Sequence, residues 1–557
     1  MMTERISAEN LMQHVRYLSG FEKLSGSRGA HQAVEYITDV LHKNDVPVEI
    51  YRFQEYLSNP ISSMLQLQDG QVIRSRPRSF SLNLPRGLKG ELVYDDSHWK
   101  KKLTPLEVSK RLAGMKGKIV LSHGFDERYA KQLEKAGALA WIQIWDSPET
   151  EIHEDTVSSV WGTPDLDSSL LLLQIPVLCV NLPDGNRLIQ YAKEAAHEVF
   201  LSTCVETAVQ EVEVPVALIQ GESEEFVLVS GHYDTWYAGA MDNVTANAAC
   251  LEIARVLQKG DKPRRTVRIA WWAGHSNGRY AGSAWYYDHF FQDLRKHCLA
   301  HINSDLIGSQ LGEVATVITT GLEGRNFEKE LIRTVDPQAP VVFKRFGRGA
   351  DQSFWGAGIP YNLMTRYEVL PEKRTTTAPG GSPWWHTKED TFEKVSPEVL
   401  LKETKIFLEN VALFAGQEIL PVDFSGYFGQ MIERLQSVQE QSDDCFDFSP
   451  CIEAVKKIQE KTTALYRQLS GEARNRLVKL VGGTMNWLMQ TYGSPYGQDL
   501  AYAYGMFPHL TAVAGSYRKN TDPAGFLFLQ TEFQRQKNRL LTELELLEEK
   551  IGWFGQA

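Results

Sequence analysis

Two short stretches place metal-binding residue types at positions suited to chemistry. Phe226–Ser230 is an apolar run rich in branched residues, bounded by Gly231, and reads as a buried strand. His232 and Asp234 follow at its C-terminal end. Asp242 comes eight residues after Asp234, ahead of Asn243 and a helical run at Ala246–Leu257. Thr266–Trp272 reads as a second buried strand, and it also ends in a polar cluster, His275-Ser276-Asn277. Open α/β sheets bind ligands beyond the carboxyl ends of their strands. Two strands delivering acids and imidazoles to that edge suggest a metal site. Mixed imidazole and carboxylate ligation suits Zn²⁺, and also Mn²⁺, Co²⁺ or Fe²⁺.

The elements that must position these groups are legible around them. Val212–Ala415 alternates apolar strands with helical runs, including a helix at Asn326–Val335 and a long one from Pro397 to about Phe414. This alternation predicts a doubly wound, mostly parallel sheet. Asp305 falls at a strand end in this region. The loop Pro371–Pro383 is dense in Pro, Gly and Thr and leads to His386, so it is expected to wall the site. Ahead of this region, Ser7–Leu18 and Ala30–Asn44 have helical periodicity and Val46–Phe53 alternates as a strand. Residues 90–210 change character, to short β runs separated by glycines. His123, His153 and Asp155 there lack metal-ligand spacing and read as surface or core residues. Beyond Phe424 only helical stretches follow, ending in TEFQRQKNRLLTELELLEEKI. The expected units are residues 1–89 and 211–422 for the α/β domain, 90–210 for the β-rich insert and 423–557 for a helical domain.

Composition narrows the class. A chain of 557 residues exceeds one core and implies several domains. A net charge of −11 argues against a nucleic-acid binder, which would show a basic face. The six scattered cysteines form no CxxC pair, so a cysteine zinc site is not expected. The amphipathic N-terminus carries acids and lacks a signal-peptide core, and no stretch approaches the roughly 18 apolar residues of a membrane span. A cytoplasmic protein without membrane partners is expected.

Taken in order, HYDTW, GAMDN, SDLIG, DQSFWGAGIP and WHTKEDT resemble the co-catalytic zinc aminopeptidase and glutamate carboxypeptidase family. The three-part layout resembles the branch that includes glutamate carboxypeptidase II and the transferrin receptor. The glycine-flanked approaches to IVLSHG and AWIQIW look like a protease-associated domain. The resemblance implies a zinc exopeptidase-like fold and one or two divalent ions. It implies metal ligation by His232, Asp242 (bridging), Asp305 and His386. Asp234 becomes the carboxylate that orients His232, Asp390 a supporting carboxylate, and Asp351 a residue near the site. The last helical stretch, with apolar residues at helical spacing and heavy charge elsewhere, suits either a packed bundle or a dimer surface, and a homodimer through the helical domain is expected.

The departure lies after the second strand. The family carries two adjacent glutamates there, a general base and a metal ligand, whereas this chain reads WAGHSNGRYAGS. Three readings of His275 stand. It replaces the lost ligand, it acts as the acid/base, since an imidazole with an unperturbed pKa of about 6.5 can take a proton near neutral pH, or the site is a relic in a binding protein. Arg366 and Tyr367 are candidate substrate-binding groups, as is Trp385 within a cluster of loop tryptophans, and Glu368 is a candidate displaced base. The expected function is metal-dependent hydrolysis of an amide or peptide bond in a small substrate, with His275 and Asp234 in catalytic roles. The alternatives are another metalloenzyme reaction, such as lyase chemistry, and a silent receptor or scaffold.

Overall fold

The structure is a computed structural model. It describes residues 2–96, 110–321, 323–422, 424–502, 505–519 and 521–554. Its centre is the strand Ser223–His232, buried on both faces. That burial explains a continuous apolar run in place of alternation. Cys298–Asn303 pairs with it in parallel on one side and Arg265–Trp272 on the other. The sheet continues outward from Cys298–Asn303 through Asn362–Glu368, Val314–Thr319 and Val341–Arg345. Helices Thr245–Gln258, Ala281–His297 and Pro397–Gly416 cover these strands, giving a mixed α/β architecture around a large, mostly parallel central sheet.

Two very long strands tie this sheet to a second one. Val48–Leu67 and Glu198–Ile219 pair antiparallel along their whole length, from Val48↔Ala217 to Leu67↔Val199. At one end Glu198–Ile219 joins Arg265–Trp272. At the other it joins Leu84–Tyr94, which leads in parallel into Lys118–His123, Ala140–Ile144 and Val177–Val180. The second sheet has its own apolar cores, one around Ile119, Leu121 and Ile142 and another around Trp141 and Leu133. Val46–Phe53 is therefore only the start of a far longer strand. Period-2 burial at Val199, Leu201, Thr203 and Val205 marks the partner that joins both sheets.

The helices form where capping and periodicity direct. Ser7 Oγ caps Ala8–Leu18 by accepting from Asn10 N–H, 3.1 Å. The glutamate missing from a local capping box is supplied from afar: Glu252 accepts from Ser7 N–H at 2.9 Å. Beyond Phe424 come the helices Ser425–Gln441, Ser449–Gln468, Gly471–Gln490, Pro508–Ser516 and Pro523–Phe554. Their buried faces merge with the main core through Leu477, Val481, Met485 and Leu544.

Candidate metal centre

His232 is the last residue of its strand and is buried. Its Nδ1–H donates to the backbone carbonyl of Asp234 at 2.8 Å, which leaves the Nε2 lone pair pointing inward. That Nε2 meets Asp242 Oδ1 at 3.1 Å and Asp305 Oδ1 at 3.6 Å. All three atoms are buried without a hydrogen-bond partner. Three electron-rich atoms turned on one another in a dry interior need a cation between them, because unpartnered buried polar groups are costly. The residues therefore fit a divalent metal. The same geometry shapes their charge. Burial pushes His232 down and Asp242 up, but without a metal Asp242 and Asp305 hold a proton on His232 Nε2 and raise it well above its usual range, while His232 and His386 hold Asp242 well below; a metal ion would take the place of that proton.

The role expected of Asp234 is divided. Its carbonyl, not its carboxylate, orients His232, since the carboxylate stands 3.8 Å from Nδ1. The carboxylate instead accepts from the backbone N–H groups of His275 (3.2 Å) and Ser276 (3.0 Å), and so holds the altered strand end in place. Asp390 does the same for the other loop. It accepts from Met241 N–H at 2.8 Å and Asp242 N–H at 3.0 Å, anchoring the backbone that carries Asp242. Lys23, wholly buried, donates to Thr235 Oγ1 and the Ala238 carbonyl and ties the N-terminal segment to this loop.

His275 lies flat against His232, with ring centroids 3.5 Å apart and planes 13° from parallel. Its Nδ1–H donates to Asp351 Oδ2 at 2.7 Å, and Asp351 Oδ1 accepts from Ser283 Oγ at 2.8 Å. Burial pushes Asp351 up, but His275 beside it more than reverses this and holds the carboxyl below its usual range. One ring nitrogen each from His232 and His275 and one oxygen of Asp305 lie within 4.8 Å of one another. A histidine oriented by a carboxylate on one nitrogen presents the other to a metal.

His386 closes the far side. Its Nε2 is 3.0 Å from Asp242 Oδ2, which also accepts from Trp385 Nε1–H at 2.6 Å. Its Nδ1–H donates to the Glu154 carbonyl at 3.0 Å, and its own carbonyl accepts from Glu154 N–H at 2.9 Å. His153 and Asp155 thus stand beside His386: both are buried, as the core reading expects, and Asp155 also lines the cavity next to the site. Sequence spacing could not reveal this, because the contact spans 232 residues. His386, Asp351, Ala350, Leu306, Tyr280, Arg279 and Tyr237 all hold positive φ around this centre. Such left-handed non-glycine backbone is costly and gathers at functional sites.

The cavity above these groups measures 710 Å³ and is lined by Trp236, Asp155 and Trp385 and by the loop Arg374–Gly380, which is the wall expected of it. Strand parity sorts the neighbouring candidates. Arg366 and Glu368 face the cavity, whereas Tyr367 points into the core and donates to Asp336 Oδ2 at 2.9 Å. Tyr367 is therefore removed from the substrate-facing set. Glu368 is removed as a base. Burial pushes it up, but Arg366, Lys344 and Arg374 surround it and hold its carboxyl at about 2.

Comparison with known proteins agrees with this fold. Residues 215–411 match peptidase family M28. Aminopeptidase YwaD of Bacillus subtilis is 24% identical over 387 residues, 68% of this chain and 78% of that protein. A probable glutamate carboxypeptidase, LAMP1 of Arabidopsis thaliana, is 24% identical over 50% of this chain, and the match spans only 43% of that longer relative. The solved zinc aminopeptidase BSAP from Bacillus subtilis superposes with a TM-score of 0.58 at 22% identity, covering 74% of this chain and 96% of that one. The motif resemblance therefore holds, and the chain is a metallopeptidase-like hydrolase with the M28 aminopeptidase fold. No helix among the described residues is long and apolar enough to cross a membrane.

Proposed function

We propose that this protein is a metal-dependent hydrolase of an amide or peptide bond in a small substrate, working by metal-activated water. The observation that carries the proposal is the convergence of His232 Nε2, Asp242 Oδ1 and Asp305 Oδ1, buried and unpartnered, at the floor of an open cavity. A divalent ion, zinc by the nature of the donors, would supply Lewis acidity and an acidified water there. His275 is assigned as a further ligand. Acting as the base would make it an imidazolium stacked 3.5 Å from a second ligating imidazole, whereas a neutral ring held by Asp351 avoids that repulsion. Asp234 holds the backbone of His275, and Trp385 fixes the Asp242 carboxylate through its indole N–H. Arg366, Lys344 and Arg374 around the single acid Glu368 leave a cationic wall, which favours a substrate bearing a carboxylate.

The exposed Leu527, Phe528 and Trp553 on Pro523–Phe554 support a homodimer through the helical domain. The unpaired thiols of Cys179, Cys250, Cys298 and Cys451 support a reducing, cytoplasmic setting. The second sheet, hung on the long ribbon, is the candidate protease-associated insert.

The test is metal content followed by turnover. Protein purified without chelator should contain zinc. It should cleave members of a panel of aminoacyl and carboxylate-bearing amides, lose that activity on chelation and regain it with zinc. Absence of bound metal sinks the proposal.

A further inference from the structure

His275-Ser276-Asn277 stands where the resemblance implies two adjacent glutamates, so this strand end carries no carboxylate, and Ser276 N–H is spent on Asp234 Oδ2. Yet the far side of the centre still asks for a cation. His386 has donated its Nδ1–H to Glu154, so its Nε2 lone pair faces Asp242 Oδ2 across 3.0 Å. Two electron-rich atoms in that relation repel unless a positive charge lies between them. A third donor is needed to hold an ion there, and the strand end does not supply it.

The insert does. The reciprocal bonds between Glu154 and His386 fix the turn His153–Thr156 against the site. They place one oxygen of Asp155 within 4.8 Å of a ring nitrogen of His386. Asp155 is 7% exposed and lines the same cavity as Asp242 and His386. Its Oδ1 accepts from Thr156 N–H at 2.7 Å, and its Oδ2 has no hydrogen-bond partner among the described residues. His153 is the other group at hand, but Arg78 Nη2 donates to its Nδ1 at 3.1 Å. A guanidinium can only donate, so the ring hydrogen of neutral His153 sits on Nε2 and that nitrogen offers no lone pair. The carboxylate is the available ligand.

We propose that Asp155 of the insert replaces the missing strand-end glutamate and completes a second divalent-cation site with Asp242 and His386. This rests on the metal-dependent reading above and adds to it that the insert is part of the metal centre. Three protein ligands with an open position is the pattern of a catalytic zinc site.

The experiment uses zinc alone with the full chain. Zinc stoichiometry is measured by mass spectrometry, and dissociation constants by chelator competition, for wild type, Asp155→Asn and Asp155→Asn/Ser276→Glu. Wild type is expected to bind two ions. Asp155→Asn should retain one ion and bind the second more than about 100-fold more weakly, beyond the 10–100-fold cost of losing an outer hydrogen-bond partner. Ser276→Glu should return the second ion by restoring a carboxylate at the strand end. One ion in wild type, or two bound with unchanged constants in Asp155→Asn, overturns this inference alone. No ion in wild type overturns the metal-dependent reading itself. An anomalous-edge crystal structure of the zinc-loaded wild type gives an answer that depends on no variant: the Asp155 carboxylate should lie about 2.0–2.2 Å from the second ion, and a distance beyond bonding range refutes the assignment.

Discussion

Replacing Asp351 with asparagine separates the two chemical roles open to His275. Asp351 is wholly buried, and its Oδ2 takes the Nδ1–H of His275 at 2.7 Å while Oδ1 takes Ser283 Oγ–H. Asparagine keeps the shape and one acceptor oxygen, and its amide N–H₂ can turn toward Ser283 Oγ, which also accepts. The fold should survive and the negative charge should go. If His275 ligates metal, the loss falls on ligand basicity. Outer partners of ligating histidines contribute 10–100-fold in metal affinity, about 1.4–2.7 kcal/mol. Chelator competition should show zinc affinity lowered by that factor, with turnover largely recovered at saturating zinc. If His275 is the base, the carboxylate serves to stabilise the imidazolium. Turnover would then fall at every zinc concentration while zinc affinity stayed constant. Unchanged affinity with full stoichiometry refutes the ligand assignment.

Three further outcomes are expected. Arg366→Ala should raise KM about tenfold or more for carboxylate-bearing amides, the scale of a charged hydrogen bond, and leave neutral amides untouched; equal effects on both classes would remove the cationic wall from recognition. Glu55 is pushed by burial from 4.5 to about 7. A carboxyl raised on folding costs stability as pH climbs from the unfolded value through the folded one, so Glu55→Gln, which still accepts from Thr163, should gain on wild type by about 2–3 kcal/mol between pH 5 and pH 8; denaturant melts at both pH values measure it, and a pH-independent difference contradicts it. Gly239 sits at φ 53°, and a Cβ there would lie 2.4 Å from the Asp242 carbonyl oxygen, so Gly239→Ala should cost about 1–3 kcal/mol of stability and weaken zinc binding, as melting and chelator competition would show.

The strand-end logic made much of the site readable. His232, Asp242, Asp305 and His386 carry local signals, an apolar run that stops or a breaker-rich loop, and the fold brings them within a few ångströms. The parity of Asn362–Glu368 was also present in the sequence, and it separates Arg366 from Tyr367 once the strand is placed between two neighbours. Other features were hidden for physical reasons. A backbone carbonyl such as that of Asp234 leaves no mark on residue type. The contact between Asp351 and His275 depends on a left-handed turn at Ala350 and Asp351. Asp155 comes near His386 through the reciprocal bonds of Glu154 with His386, a contact across 232 residues, and no periodicity encodes that.

The ribbon also governs how the molecule can be made. Val48–Leu67 leaves the ribosome long before Glu198–Ile219, its partner at every register position. At 5–20 residues per second, a twenty-residue strand waits roughly 7–30 seconds with its edge open. Neither sheet can finish until the later strand arrives, since that one strand borders both. The insert is thus no detachable cassette. Arrival of Glu198–Ile219 completes the insert and offers the edge on which the metal-bearing strands, all later in the chain, then build, and until it arrives the open edge of Val48–Leu67 is an aggregation hazard.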